Sequence, residues 1–159
     1  MEPAAFGTER LLAFEVGGSV YAVPIADVAE VADLGRITAV PTLPQHVGGV
    51  MNHHGDALPI VHPAVLFQLA PERLAEPQHV LVLAQGGEER ASLGLPVDRV
   101  FGLVDGAGGS ARGPDPVVER RPIDGRVVSV LDARRLLERA AEVIERSVLG
   151  ADAGEGSEA

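Results

Sequence analysis

The chain has 159 residues, a formal net charge of −10 and no cysteine. The negative charge argues against nucleic-acid binding, which needs a basic face, and the lack of cysteine excludes disulfides and thiol chemistry. Because no signal peptide and no apolar run of about 18 residues is evident, we expect a soluble, cytoplasmic protein without membrane insertion.

The first half of the sequence has the pattern of short strands separated by turns. Gly17-Gly18 can take the positive φ angles of a tight hairpin turn, and His53-His54-Gly55-Asp56 marks a second turn. The apolar spacing in 25–32 fits either a short helix or a bent strand. Residues 68–78 contain two prolines and are predicted to link two halves. Four strands are predicted here, over 11–16, 20–24, 47–52 and 57–61.

The second half repeats the first. Two strands, 80–84 and 91–97, begin it. The pattern around Pro24 recurs around Pro96, 72 positions later, and Gly55 to Val61 recurs from Gly125, 70 positions later. Two matches in the same order at nearly one offset indicate an internal duplication. Short strands with glycine and proline turns predict a mainly β protein built from small barrels.

The C-terminal part has a different character. From Asp132, which is suited to cap a helix, to Leu149, apolar residues recur at helical spacing. We expect this segment to be a helix that packs on the β-rich part. Residues 150–159 are acidic and rich in small residues, and we expect them to be disordered.

We find no recognisable catalytic motif in the sequence. His53 and His54 are adjacent, so in an extended strand their side chains would point to opposite faces, and no metal site is predicted. The glycine-rich segment 106–111 mimics a dinucleotide motif, but the prolines that follow it oppose the required helix. We therefore expect no enzyme activity, cofactor or small-molecule substrate. A metal-binding protein that uses His46, His53, His54 or His62 remains an alternative.

In their order and spacing these segments resemble the CheW family, the adaptors of bacterial chemosensory arrays. The resemblance covers roughly residues 9–140. It is carried by Leu11–Val16, Tyr21–Ile25, Val28–Val31, Ile37-Thr38, Val40-Pro41, Val47–Asn52, Pro59–Val61, Leu93–Val100 and Val128–Asp132.

The resemblance implies a fold of two SH3-like five-stranded β-barrel subdomains with a C-terminal α-helix. The implied domain is 9–149. One subdomain covers about 17–67 and the other about 78–131, with strand 11–16 and helix 132–149 packing on them.

The resemblance also implies a non-enzymatic adaptor in bacterial chemotaxis or motility signalling, a two-component system. Its expected partners are a chemoreceptor signalling tip, held between the barrels, and the regulatory domain of a CheA-type histidine kinase, docked on the end of one barrel. Such a protein would be recruited to membrane-associated receptor arrays. An alternative is a CheW-like scaffold with a non-kinase partner in motility or polar localisation.

Carried over by position, six residues are expected to face the receptor or the kinase: Val28, Glu30, Gly49, Asn52, His54 and Gly55. In the family pattern Asn-x-Arg-Gly, His54 replaces the arginine, which would be expected to pair with the acidic residue at Glu30. A contact between Glu30 and His54 would depend on pH and could tune partner binding. A second departure places His62 where the family has aspartate, which the second repeat keeps as Asp132. The second barrel is expected to be shortened, with its turn at Pro122-Ile123-Asp124.

Overall fold

A computed structural model describes residues 10–69, 77–84, 91–109 and 113–158 of the chain. In the first half these residues form β1 (Arg10–Val16), β2 (Ser19–Pro24), β3 (Val28–Asp33), β4 (Ile37–Thr38), β5 (Gly48–His53), β6 (Asp56–Val61) and the short helix α1 (Pro63–Phe67). In the second half they form β7 (His79–Leu83), β8 (Leu93–Val97), β9 (Arg99–Asp105), β10 (Val117–Ile123), β11 (Arg126–Leu131) and the long helix α2 (Ala133–Glu158).

All six strands predicted from the sequence are present. The segment 25–32 combines both predicted forms, since a 3-10 turn at Ile25–Asp27 leads directly into β3. Residues 70–76 of the predicted linker and residues 110–112 of the glycine-rich segment lie outside the described residues.

The strands form two sheets. Sheet 1 has five strands in the order β10-β11-β2-β1-β9, and sheet 2 has six in the order β3-β7-β8-β6-β5-β4. The leading hairpin of each repeat is β1–β2 in the first and β7–β8 in the second. Each sheet therefore combines the leading hairpin of one repeat with the later strands of the other. The prediction of five strands fits sheet 1, whereas the two-residue strand β4 adds a sixth to sheet 2.

The division of the chain between the two sheets differs from the predicted subdomains, which were 17–67 and 78–131. Strand β2 lies parallel to β11 of the second repeat, and β8 lies parallel to β6 of the first. The reason is that each leading hairpin pairs with the other copy of the repeat. The sequence period alone does not distinguish this exchange from pairing within one copy.

Strand pairing reproduces the internal duplication in three dimensions. Ile60 pairs with Gly94 where β6 meets β8, and Val130 pairs with Ala22 where β11 meets β2. Ile60 and Val130 are 70 positions apart, and Ala22 and Gly94 are 72 apart. These are the two offsets found in the sequence, so the repeated segments occupy equivalent places in the two sheets.

The hairpin turns are equivalent too. His54 and Gly55 have φ angles of 52° and 87°, and Asp124 and Gly125 have 51° and 80°. The second turn is therefore at Asp124-Gly125, and Pro122 lies inside β10 rather than in the predicted turn. Proline fits there because β10 is the outer strand of sheet 1.

Three buried clusters of apolar side chains hold the domain together. One lies within sheet 1, one within sheet 2, and the largest joins both sheets to α1 and α2. In sheet 2, Ala32 of β3 packs against the cluster that contains Met51 of β5, although three strands separate β3 from β5. Sheet 2 is therefore strongly curved. The described pairings do not join the outer strands of either sheet, so closure into barrels stays a prediction.

Helix α2 begins as predicted. The Oδ1 atom of Asp132 accepts a hydrogen bond from the Arg135 N–H at 3.1 Å, which is the contact of a helix cap. Leu136 and Ala140 are buried in the largest cluster. The helix continues to Glu158 rather than giving way to the disordered tail expected from residue 150. Once the packed turns exist, each further helical residue gains one backbone hydrogen bond, which allows this extension.

Candidate functional site

The hairpin between β5 and β6 carries three of the six candidate residues. The Oδ1 atom of Asn52 accepts a hydrogen bond from the Gly55 N–H at 2.9 Å. Gly55 has a positive φ of 87°, which glycine adopts without steric cost. Asn52 and Gly55 therefore shape the turn, as the resemblance implies, and fix the position of His54 between them.

Glu30 reaches this turn from β3. His54 Nε2 lies 2.9 Å from Glu30 Oε1, so the contact expected from the sequence is present. His53 Nε2 lies 3.4 Å from the same oxygen, which the sequence did not predict. One carboxylate oxygen thus faces two imidazole rings, and these contacts bring β3 and the β5–β6 hairpin together across the curved sheet.

The prediction that His53 and His54 point to opposite faces was wrong. It assumed an extended backbone, but His54 has a φ of 52° in the left-handed region. This conformation turns its side chain to the side of His53, and the two ring centroids are 4.2 Å apart. The signal was in the sequence, because His54-Gly55 is a two-residue hairpin turn of the kind that requires positive φ.

The other two candidate residues do not form part of this cluster. Val28 is half-buried and packs against the largest apolar cluster. Gly49 is buried in β5, where a Cβ atom would lie 2.5 Å from the Thr38 carbonyl oxygen and 2.7 Å from Ile37 Cγ2. Glycine at position 49 therefore permits the close approach of β4, which is a structural role.

His62 is separate from the histidine pair. It precedes α1 without a side-chain capping bond, unlike Asp132 before α2. Burial lowers the pKa of His62 below its ordinary value of 6.5, a hydrogen bond with the Gln45 backbone opposes the shift, and the nearby His46 adds to it. The neutral imidazole is thus the form that the folded state favours.

We expect His62 to make the protein less stable in mild acid. The unfolded chain protonates His62 first as the pH falls below about 6.5. The stabilising contribution is therefore complete above that pH and is lost as the pH falls towards the lowered pKa of the folded state. One proton changes the free energy of unfolding by at most about 1.4 kcal/mol per pH unit. Between about pH 7 and pH 5, the free energy of unfolding measured in urea should fall less for His62→Gln than for the unaltered chain. An equal fall in both proteins would contradict the assignment of a lowered pKa to His62.

Three exposed apolar side chains of sheet 1, Phe101, Leu103 and Val127, were not predicted from the sequence. Their side chains are 40%, 49% and 65% exposed. The guanidinium groups of Arg99 and Arg126 lie 5.8 and 5.4 Å from the centre of the Phe101 ring. The available signal was that β9 is apolar on both faces, although only one face contributes to the core.

The glycine-rich segment shows no phosphate-binding geometry in its described residues, 106–109. Arg121 of β10 donates a hydrogen bond from Nη1 to the Ala107 carbonyl oxygen at 3.1 Å and two further bonds to Glu119. The hydrogen bonds from Arg121 lower the pKa of Glu119. The segment is therefore held against β10, and the helix that a dinucleotide site needs does not follow it among the described residues.

The described part of the chain includes no helix with the length and apolarity that a membrane crossing requires.

Comparison with known proteins places the whole described β region in one family. The model of the CheW-like domain matches residues 10–141. The "Probable chemotaxis protein CheW" of Rhizobium etli is 35% identical over 100 residues, which are 62% of this chain and 61% of that protein. The chemotaxis protein CheW of Helicobacter pylori is 30% identical over 74 residues, 46% of this chain and 45% of that protein. The chain thus matches less than two thirds of the length of these relatives.

A solved structure has the same fold. The crystal structure of the scaffolding protein TtCheW from Thermoanaerobacter tengcongensis superposes with a TM-score of 0.65, covering 78% of this chain and 84% of that one. Sequence identity between the two is 19%, so this likeness concerns the fold.

Proposed function

This chain belongs to the family of CheW-like domains, and we propose that it is a non-enzymatic adaptor that couples chemoreceptor signalling tips to a CheA-type histidine kinase. The observation that carries the proposal is the extent of the family match, residues 10–141, which includes every strand of both sheets and the start of α2. An adaptor must contact two partners at once, and the match covers both sheets. Recruitment to receptor arrays is part of the same proposal.

We propose that the exposed Phe101 of β9 is part of the docking surface for the kinase regulatory domain. Exposed aromatic side chains flanked by arginine are typical of the energetically dominant centre of protein interfaces. Here Arg99 and Arg126 stand beside Phe101. An apolar centre with charged residues at its edge fits a protein partner better than a small ligand.

The six residues carried over by position remain the proposed receptor-facing or kinase-facing region. The shape and charge of the β5–β6 turn would contribute to partner binding, and they are set by Glu30, Asn52, His54 and Gly55. Gly49 would act indirectly, through the path of β4. That the contact of Glu30 with His54 tunes partner binding is likewise a proposal.

The test is direct binding to the regulatory domain of the CheA-type kinase from the same organism, measured by calorimetry. We expect a stable complex that Phe101→Glu weakens by a factor of about ten or more, because a buried aromatic contact is worth about 2 kcal/mol or more. The matched control is Ala141→Glu, which adds the same charge at an exposed position of α2. Failure of the unaltered chain to bind would overturn the proposed function. Equal weakening by both variants would overturn the assignment of Phe101 to the docking surface.

A further inference from the structure

Three metal-binding side chains meet where β3 faces the β5–β6 turn. One ligand atom from each of Glu30, His53 and His54 lies within 4.8 Å of the others. We propose that these three residues form a binding site for a zinc(II) ion. An extended backbone would place the two imidazoles on opposite faces, which argues against a metal site, but the left-handed backbone of His54 removes that objection.

The distances are close to those that zinc requires. In a tetrahedral site with ligands about 2.0–2.1 Å from the metal, neighbouring ligand atoms are about 3.3 Å apart. The measured separations from Glu30 Oε1 are 3.4 Å to His53 Nε2 and 2.9 Å to His54 Nε2. Two imidazoles and one carboxylate are also a ligand set that zinc uses in proteins.

Burial gives the three ligands different freedom. The His53 side chain is 13% exposed, that of Glu30 is 39% exposed, and that of His54 is 71% exposed. His53 is therefore held by its surroundings, while the exposed His54 ring is free to rotate onto an ion. Three protein ligands leave the fourth position of a tetrahedral site for water or for a ligand from another molecule.

The fold itself does not require this cluster. At the offsets of the duplication, Glu30 corresponds to Gly102, His53 to Ile123 and His54 to Asp124. The second repeat builds the same turn without these ligands, with nearly the same φ angle at Asp124 as at His54. Moreover, His54 stands where the family resemblance leads us to expect arginine, which is not a metal ligand.

The experiment is a titration of the full, tag-free chain with zinc chloride, followed by calorimetry and thermal unfolding. We expect one ion per chain in the micromolar range and a rise in melting temperature, with no comparable effect of magnesium. Cobalt(II) in place of zinc should give the strong visible absorption of a tetrahedral site. Glu30→Gln and His54→Arg should each weaken zinc binding at least about tenfold, since each removes a ligand.

His54→Arg keeps the turn and can still pair with Glu30, so it separates loss of the site from loss of the fold. The matched control is His79→Ala, because His79 also lies near a carboxylate, with Nδ1 3.9 Å from Asp33 Oδ1. His79→Ala should bind zinc as the unaltered chain does. The proposal is overturned if the unaltered chain binds no zinc, or if binding survives both Glu30→Gln and His54→Arg. Neither result bears on kinase binding, which is measured separately.

Discussion

The first repeat expressed alone, as residues 10–76, is expected to be largely unfolded, although it contains a complete copy of the repeated sequence. In the intact chain its leading hairpin pairs with β9 and β11, which the fragment lacks. Its strands β3 and β6 likewise lose β7 and β8. The pairings that remain are those of β1 with β2 and of β5 with β6 and the short β4. An isolated hairpin is marginally stable in water.

The apolar cores lead to the same expectation. The largest cluster combines Phe14 and Val23 of the first repeat with Leu81, Leu95 and Leu136 of the second. Cutting between the repeats exposes both sides of this cluster, and the loss exceeds the roughly 5–15 kcal/mol by which a domain is stable. Each half should therefore lack a cooperative unfolding transition.

Far-ultraviolet circular dichroism and urea unfolding of the two fragments would measure this. Mixing residues 10–76 with residues 77–158 should restore the β spectrum and a single transition, because the exchanged pairings can then form between the two chains. A cooperative transition in the first fragment alone would mean that pairing within one repeat is sufficient. It would restore the subdomain boundaries 17–67 and 78–131 expected from the sequence.

The sequence was sufficient for several features that depend on local pattern or on the period of the repeat. The hairpin at Gly17-Gly18, the helix cap at Asp132 and the match of Pro24 with Pro96 are all present in the structure. The contact of Glu30 with His54 was also predicted, but from the family resemblance rather than from spacing. Each of these features depends on residues that are close in sequence, on the period of the repeat, or on a contact that the family resemblance implies.

Most of the features that were missed depend on which distant segments meet, whereas the orientation of the His54 side chain follows from its own left-handed backbone. Two copies of one pattern pair equally well within a copy or between copies, so the exchange of hairpins leaves no mark in the sequence. The two residues of β4 are too few to show a period. Phe101 lies in a strand with apolar residues on both faces, and the sequence does not show which face is exposed.

Gly48→Ala is expected to destabilise the protein strongly, by about 3 kcal/mol, the upper part of the usual range for overpacking. A Cβ atom at Gly48 would overlap the Ile60 carbonyl oxygen and lie 2.9 Å from the Ile60 carbonyl carbon and 3.1 Å from Val61 Cα. All three atoms belong to the backbone of β6, so no side chain can rotate away. The added methyl group must push β5 and β6 apart, and Ile60 of β6, the strand between β5 and β8, is fully buried.

Gly35→Ala is the matched control, because the same methyl group makes no close contact there. Its Cβ atom would lie 3.6 Å from Met51 Sδ and 3.7 Å from Met51 Cγ, which are ordinary contacts. At such a position alanine restricts the unfolded chain and tends to stabilise the fold by about 0.4–1 kcal/mol. The two substitutions should therefore change the free energy of unfolding in opposite directions, as urea titrations would measure. If Gly48→Ala were as stable as the unaltered chain, β5 and β6 would not be packed as closely as their pairing implies.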